Sequence, residues 1–361
     1  MTRGTVSEAR RMRVLVVEDS DIVRTHMVSV LRAAPGIEVV GEARDGRTGV
    51  ELCQRLRPDV VTLDMMMPGM NGLQATEHIM AHCPTPILIV SASANRGALF
   101  RTYDALQAGA VEVMEKPTGL EPPGEWEERL VGTLRLVARV RVITHPKGRH
   151  PERYRPDGRG EARDPRGPYR LVVVGASTGG PTALSEVFRV LPPDFPLPII
   201  FVLHIGEPFA QSYAEWLQTR VRLPVRMVRD KEPLPPRGQG QILMAPAGRH
   251  LMLSEGRLVQ NDGPERHGCR PSVDVLFESA ARHAGHRTLG VLLTGMGRDG
   301  ASGMLAIRQA GGFTFAQDQE SSVVFGMPRE AAAIGGASRV MPLSAMGSAL
   351  YDLATGQPTS D

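Results

Sequence analysis

Short apolar strands that run straight into a turn of chemically distinctive residues constrain this chain more than any other feature. The clearest is Val172-Val173-Val174-Gly175-Ala176-Ser177-Thr178-Gly179-Gly180-Pro181. Unbroken valines, without polar alternation, fit a strand covered on both faces. The glycines let the backbone turn sharply and come close to a ligand, and the amides at the following helix start point toward negative charge. A serine at such a bend is placed as a nucleophile. Strand, glycine turn and helix equally describe dinucleotide and phosphate sites, or a purely structural turn. Residues elsewhere must decide the chemistry.

The N-terminal third repeats the same grammar. Val14-Leu15-Val16-Val17 reads as a buried strand, Ser20 caps a helix through Arg32, and Val39-Val40 begins a second strand. Val60-Val61-Thr62-Leu63, Ile87-Leu88-Ile89-Val90 and Val111-Glu112-Val113-Met114 supply the third, fourth and fifth. Short apolar strands separated by helical stretches predict a parallel sheet with helices on both faces.

Glu18-Asp19 follows the first strand, Asp64 the third, Ser91 the fourth and Lys116-Pro117 the fifth. Carboxyl ends of strands in an open parallel sheet converge on one crevice, so three carboxylates, a hydroxyl and an amine are expected to meet there. Clustered acids repel unless a hard cation such as Mg²⁺ joins them. Lys116 is one of three lysines, with Lys147 and Lys231, among 42 basic residues. A compact point charge at that position suits a phosphoryl oxygen.

At 361 residues and 42% hydrophobic content, the chain has length for two ordinary domains. It contains no run of about 18 apolar residues, and Met1 to Arg13 is polar, so the expectation is a soluble cytoplasmic protein. Cys53, Cys83 and Cys269 are odd in number and far apart in sequence, which fits neither a disulfide framework nor paired zinc ligands; His267-Gly268-Cys269 is read as chance. Residues 144–168 are rich in Arg, Pro and Gly and nearly devoid of apolar side chains, so they read as a linker. Its arginines suit a solvated tether better than a nucleic-acid contact, because no recognition-helix pattern or interleaved aromatics accompany them. The expected division is a disordered N-terminus over 1–11, a first domain with its last helix over 12–143, the linker, a second domain over 169–350 and a polar tail over 351–361.

Residues 12–120 resemble the receiver domain of response regulators. The resemblance is carried by Asp64-Met65-Met66-Met67-Pro68-Gly69-Met70-Asn71-Gly72-Leu73, by Ser91-Ala92, and by Gly109-Ala110 leading to Lys116-Pro117. It implies a flavodoxin-like fold with a five-stranded parallel sheet. It also implies that Asp64 accepts a phosphoryl group from a histidine kinase, that Mg²⁺ is held by Glu18 or Asp19, by Asp64 and by the Met66 backbone carbonyl, and that Ser91 and Lys116 bind the acyl phosphate. A cis Lys116–Pro117 bond is implied as well. Two positions depart from the pattern: Val113 stands where receivers often carry a switching Tyr or Phe, and Met66 where relatives are often polar.

The strand-end reasoning extends to the second domain. Val172–Val174 leads to Ser177, Ile199-Ile200-Phe201-Val202-Leu203 to His204, and Leu289-Gly290-Val291-Leu292-Leu293 through Thr294-Gly295-Met296-Gly297-Arg298 to Asp299. His250, His267, His283 and His286 lack that placement and read as surface or structural. A serine hydroxyl needs a neutral imidazole to take its proton, and a carboxylate to hold that imidazole in the right tautomer.

Residues 168–350 resemble the catalytic domain of CheB-type chemotaxis protein-glutamate methylesterases. The matching motifs are Gly175 to Pro181, Ala245-Pro246-Ala247-Gly248 with His250, Arg270-Pro271-Ser272-Val273-Asp274-Val275-Leu276-Phe277, Leu293 to Gly300, and Gln317 with Ser321-Ser322-Val323-Val324-Phe325-Gly326-Met327-Pro328. The resemblance implies a doubly wound, Rossmann-like three-layer α/β/α domain. It implies Ser177 as nucleophile, His204 as base, Asp299 as the orienting acid, an oxyanion hole near Met296 helped by Thr178, and no metal in the esterase site. Thr178 equally suits a helix N-cap. Where relatives usually have Gln-His-Met-Pro, this chain has Leu203-His204-Ile205-Gly206.

Together the two resemblances imply a phosphorylation-activated hydrolase. Its substrates would be glutamate methyl esters of methylated chemoreceptors, with glutamine deamidation as a companion reaction and no nucleic-acid partner. A phosphorylation-dependent binding protein with a non-catalytic output domain is the alternative.

Overall fold

The computed structural model describes residues 10–92, 96–140, 142 and 169–356. The expected linker over 144–168 lies outside the described residues, as do residues 1–9 and 357–361. The chain divides into two compact units, Met1–Lys147 and Gly148–Asp361.

In the first unit, β1 (Met12–Val17), α1 (Asp21–Ala33), β2 (Ile37–Ala43), α2 (Gly46–Leu56) and β3 (Val60–Leu63) are followed by α3 (Gly72–His82), β4 (Ile87–Ser91), α4 (Arg96–Gln107), β5 (Glu112–Glu115) and α5 (Glu125–Val137). The sheet has five strands in the order β2-β1-β3-β4-β5, all parallel. This is the flavodoxin-like order. The helices begin where short polar side chains satisfy free amides: Ser20 accepts from Val23 N at 3.4 Å, and Asp45 from Thr48 N at 2.9 Å. Asn71 and Gln74 form a reciprocal capping box at α3. Of the stretch expected to be disordered, Arg10 pairs with Asp59 at 2.8 Å.

The second unit contains β6 (Leu171–Ala176), α6 (Gly180–Arg189), β7 (Ile199–Leu203), α7 (Glu207–Gln218), β8 (Val225–Met227), β9 (Glu232–Pro233), β10 (Ile242–Met244), β11 (His250–Ser254) and β12 (Arg257–Asn261). It continues with α8 (Val273–Ala284), β13 (Thr288–Leu292), α9 (Ala301–Gln309), β14 (Phe313–Gln317), α10 (Met327–Ala333), β15 (Arg339–Met341) and α11 (Leu343–Thr355), which runs past the expected boundary at 350. Seven strands form the main sheet in the order β15-β14-β13-β6-β7-β10-β8, every pairing parallel. Leu171 and Val173 of β6 pack with Ile200 and Val202 of β7 against Leu276 and Phe277 of α8 and Met304 of α9. Phe201 points the other way, its ring 5.9 Å from Phe188 of α6 and 6.4 Å from Tyr213 of α7. The alternation makes three layers. A small antiparallel sheet in the order β11-β12-β9 is an addition that the apolar pattern did not foreshadow.

Chain order starts at β6 in the middle, runs outward through β7, then returns to β13 on the other side. The crevice of such a sheet opens where that reversal occurs, at the carboxyl end of β6. Ser177 stands at this point.

The structure answers three points that the sequence raised. Among the described residues the cis peptide bond is Arg270–Pro271, and Lys116–Pro117 is trans. The two isomers of an X–Pro bond differ by only about 0.5–1 kcal/mol. Lys116 is already positioned by its own N–H, which donates to Ser91 O at 3.0 Å. Thr178 does not cap α6; the N-cap is Gly179, in the left-handed region at φ 76°. Cys53 and Cys83, distant in sequence, meet as a buried pair of free thiols with their sulfurs 3.6 Å apart.

Gly72 fixes how closely α3 approaches the end of β3. A Cβ there would lie 2.3 Å from the Asp64 carbonyl oxygen and 2.7 Å from Met65 Cα, both backbone atoms with little room to give. Gly72→Ala is expected to destabilise the chain by about 1–3 kcal/mol, read as a lower urea midpoint at unchanged slope.

Candidate active site

Ser177 follows β6 and His204 follows β7. The strands pair with Ala176 opposite Leu203, and His204 N donates to Ala176 O at 3.0 Å, so the serine and the histidine emerge side by side. Ser177 N donates to Thr294 O at 3.0 Å and Gly180 N to Ser177 O at 2.6 Å, which closes the turn tightly. Gly295 backs onto it: a Cβ at that position would sit 2.8 Å from Ser177 Cβ.

Asp299 arrives from the third direction, on the loop after β13, and is only 2% exposed. Its Oδ2 accepts from His204 Nε2 at 2.9 Å and from Val273 N at 2.7 Å; its Oδ1 accepts from Ser272 Oγ at 2.7 Å and from Asp274 N at 3.0 Å. The carboxylate therefore sits on the N-terminus of α8, where free amides and the helix dipole favour negative charge. Burial works to raise its pKa, and the bonds from His204, Ser272 and the Asp274 amide outweigh burial and hold it below the usual range. For His204, burial acts to lower the pKa; the Asp299 bond and the neighbouring Cys269 sulfur reverse this and lift it to about 9.

The structure brings His204 and Asp299 into direct contact, and Ser177 follows Ala176, whose carbonyl accepts from His204 N. The Ser177 hydroxyl makes no hydrogen bond among the described residues. Catalytic hydrogen bonds commonly tighten only with substrate in place. The N–H groups of Thr178 and Met296 are likewise unused among the described residues, and the Met296 side chain is 49% exposed. Thr294 ties the two turns together, its Oγ1 donating to Thr178 O at 2.9 Å and its N–H to Gln317 Oε1 at 2.7 Å.

Sequence reasoning missed Cys269 and His267, which are not a chance pair. His267 (φ 55°) and Gly268 (φ 72°) are both left-handed, and Arg266 and Cys269 exchange backbone hydrogen bonds across them at 3.2 and 3.0 Å. This is the signature of a tight reversal. It returns Cys269 Sγ to within 3.7 Å of His204 Nδ1, while His267 Nε2 lies 3.1 Å from the buried Asp274. His250 is structural: its Nδ1 accepts from Ser272 N at 3.1 Å and its Nε2 faces Pro264 O at 2.9 Å.

In the first unit the residues at the ends of β1, β3, β4 and β5 converge as expected. Lys116 Nζ donates to Glu18 Oε1 at 2.8 Å. It also lies 3.0 Å from Asp64 Oδ2, an ion-pair contact whose alignment makes no hydrogen bond, so Asp64 Oδ2 and Glu18 Oε2 are buried acceptors without a hydrogen-bond donor. One carboxylate oxygen from each of Glu18, Asp19 and Asp64 lies within 4.8 Å of the others. Burial, then the charge of Asp64, pushes Glu18 up to about 7. Burial raises Asp64 as well, against the pull of Lys116 and a hydrogen bond from the Met66 backbone. Orphaned buried carboxylate oxygens in an all-oxygen cluster fit a hard divalent cation such as Mg²⁺. Ser91 is fully buried at the end of β4, and its Oγ donates to Ala92 O at 3.4 Å.

Comparison with known proteins agrees with both halves. A family model for the CheB methylesterase matches residues 172–350, and one for the response regulator receiver domain matches residues 14–122. A protein from Anaeromyxobacter dehalogenans named protein-glutamate methylesterase/protein-glutamine glutaminase 2 is 45% identical, across 95% of this chain and 97% of its own length. The chain belongs to the CheB methylesterase family. A relative from Nitrosospira multiformis, named protein-glutamate methylesterase/protein-glutamine glutaminase, is 39% identical over 95% of this chain and 97% of its own. The crystal structure of the Thermotoga maritima CheB methylesterase catalytic domain aligns with 33% identity and a TM-score of 0.49, covering 51% of this chain and 98% of that one. This CheB-family chain carries both the receiver and the methylesterase unit, and among its described residues no helix is long and apolar enough to cross a membrane.

The His204–Asp299 contact makes a direct prediction. Removing the carboxylate charge in Asp299→Asn leaves burial, which disfavours the imidazolium, without its main opponent. The His204 ring, followed by NMR, is expected to titrate near 9 in the wild type and at or below the ordinary histidine value of about 6.5 in the variant. An unchanged midpoint would show that Asp299 does not set it.

Proposed function

We propose that the chain is a protein-glutamate methylesterase switched on by phosphorylation of its receiver unit. The observation that carries this reading is the His204–Asp299 pair at 2.9 Å beside Ser177, at the point where the sheet reverses its strand order. Ser177 Oγ attacks the ester carbonyl of a γ-glutamyl methyl ester while His204 takes the hydroxyl proton at Nδ1, the nitrogen that Asp299 leaves free. The negative charge on the tetrahedral carbonyl oxygen is met by the unused N–H groups of Met296 and Thr178; a donor of this type is worth about 10²–10³ in rate. His204 then passes its proton to the departing methoxide, releasing methanol, and water attacks the acyl-serine by the same route. The elevated pKa of His204 helps it hold the proton between the two transfers and shifts the active, neutral form toward alkaline pH. A glutamine side chain would enter the same cycle with ammonia as leaving group.

In the receiver unit, Asp64 is the phosphoacceptor. Mg²⁺ bound by Glu18, Asp19, Asp64 and the Met66 carbonyl would neutralise charge on the incoming phosphoryl group. Lys116 and Ser91 bind its oxygens. Adding roughly −1.5 to −2 charges at this cluster draws Lys116 away from Glu18 and favours a different local arrangement, and relief of inhibition by the receiver is the regulatory step. The phosphodonor is a histidine kinase of a chemotaxis-type system, the substrates are methylated chemoreceptors, and the setting is the cytoplasm. A non-catalytic output domain is not favoured, given the enzymatic names of the full-length relatives.

Methanol release from methylated receptor tests the reading. Ser177→Ala is expected to lower the rate by roughly 10³-fold or more, and Asp64→Asn to keep the basal rate but lose stimulation by a small phosphodonor with Mg²⁺. Undiminished release by Ser177→Ala would sink the esterase mechanism; stimulation surviving in Asp64→Asn would sink the regulatory half.

A further inference from the structure

His204 presents two nitrogens to two different neighbours. Nε2 is held by Asp299, and Nδ1 faces Cys269 Sγ at 3.7 Å. With the proton on Nε2, Nδ1 carries a lone pair directed to the sulfur side. An imidazole whose far N–H is fixed by a carboxylate while its other nitrogen is free is the arrangement in which histidine ligates zinc. The sulfur completes the match: a nitrogen at about 2.05 Å and a thiolate at about 2.3 Å from a tetrahedral Zn²⁺ are themselves about 3.6 Å apart. His204 and Cys269 already stand at that separation. Both are partly accessible, with the His204 side chain 15% exposed and Cys269 half-buried, so an ion has an entry path.

We propose that His204 Nδ1 and Cys269 Sγ are the inner ligands of an inhibitory site for a borderline-soft divalent cation of the Zn²⁺ type. Asp299 orients the histidine from outside, and water fills the remaining positions. Binding needs the thiolate and the neutral imidazole, so it displaces protons and strengthens as pH rises. The bound ion occupies the nitrogen that must accept the Ser177 proton, and hydrolysis stops. Metal binding stands on the geometry alone; the inhibition rests on the esterase reading above. The receiver cluster of Glu18, Asp19 and Asp64 offers only oxygens and selects hard ions instead.

Cobalt separates the two sites, because only a thiolate ligand gives the intense sulfur-to-cobalt charge-transfer absorption. The full chain, unphosphorylated and with Mg²⁺ kept saturating, is titrated with Co²⁺. The wild type is expected to develop that band and lose it on adding Zn²⁺. Cys269→Ser and Cys269→Ala, checked for native circular dichroism, are expected to lack it even though Cys53 and Cys83 remain. In parallel, micromolar Zn²⁺ is expected to slow ester hydrolysis at least tenfold, reversibly on chelation. The Cys269 variants, each normalised to its own metal-free rate, should need roughly tenfold more Zn²⁺. No band in the wild type, or one that survives in both variants, overturns the site. A band without inhibition overturns the inhibitory half. Absence of hydrolysis in metal-free wild type counts against the esterase reading and leaves the cobalt result to decide the site.

Discussion

The geometry of the candidate active site depends on one carboxylate and what it rests on. Asp299 is buried, yet it stays ionised because Ser272 Oγ and the Val273 and Asp274 amides at the head of α8 donate to it together with His204. A carboxylate accepting several amide bonds at a helix start loses little by leaving water. The helix thus acts on the histidine through the acid: it fixes the charge, the charge holds the proton on Nε2, and that tautomer leaves the lone pair on Nδ1. The neighbouring Asp274, also fully buried, is drawn into the same helix start but spends its Oδ1 on Gly303 N at 2.7 Å, pinning α9 to α8. Site and core are therefore joined through the first turn of α8.

Fixing Nε2 has a consequence for the other ring nitrogen. Nδ1 then carries the ring's lone pair, which serves the proposed proton transfer and the proposed cation site with Cys269 alike. Base and ligand are the same lone pair, so what makes the histidine a competent proton acceptor also exposes it to metal. Cys269 supplies the second ligand only because the backbone reverses at His267 and Gly268.

Much of this was legible in the sequence, for a definable reason. Unbroken apolar runs mark buried parallel strands, and the first polar residue after such a run lies at the carboxyl edge of the sheet; Glu18, Asp64, Ser91, Ser177 and His204 follow that rule, and Lys116 stands one residue farther on, after Glu115. Asp299 is farther along its loop but is carried by Gly297 and Gly300, both in the left-handed region. What was not legible came from residues whose place is set by turns. The conformation of His267-Gly268 leaves no periodic trace, so Cys269 could not be tied to a histidine 65 residues earlier. Ser272 and Asp274 stood within a motif of the resemblance, but nothing local says that they head a helix or that the acid they hold lies 25–27 residues downstream. The small sheet of β9, β11 and β12 was missed because strands of two to five residues are too short for alternation to stand out.

Asp64 and Asp299 make the governing rule explicit. Both are aspartates at the carboxyl edge of a parallel sheet, both are 2% exposed, and burial is the largest influence on each. Their acidities nevertheless move in opposite directions. Asp299 has a full set of donors, two of them helix amides, and is held low. Asp64 has a Lys116 contact, a Met66 amide and two acidic neighbours, and is pushed up with one oxygen orphaned. A satisfied carboxylate suits a permanent charge that must never leave its post; an unsatisfied one suits a group that awaits a cation and a covalent partner. The number of donors aimed at each acid, more than its burial, separates the carboxylate held low from the one pushed up.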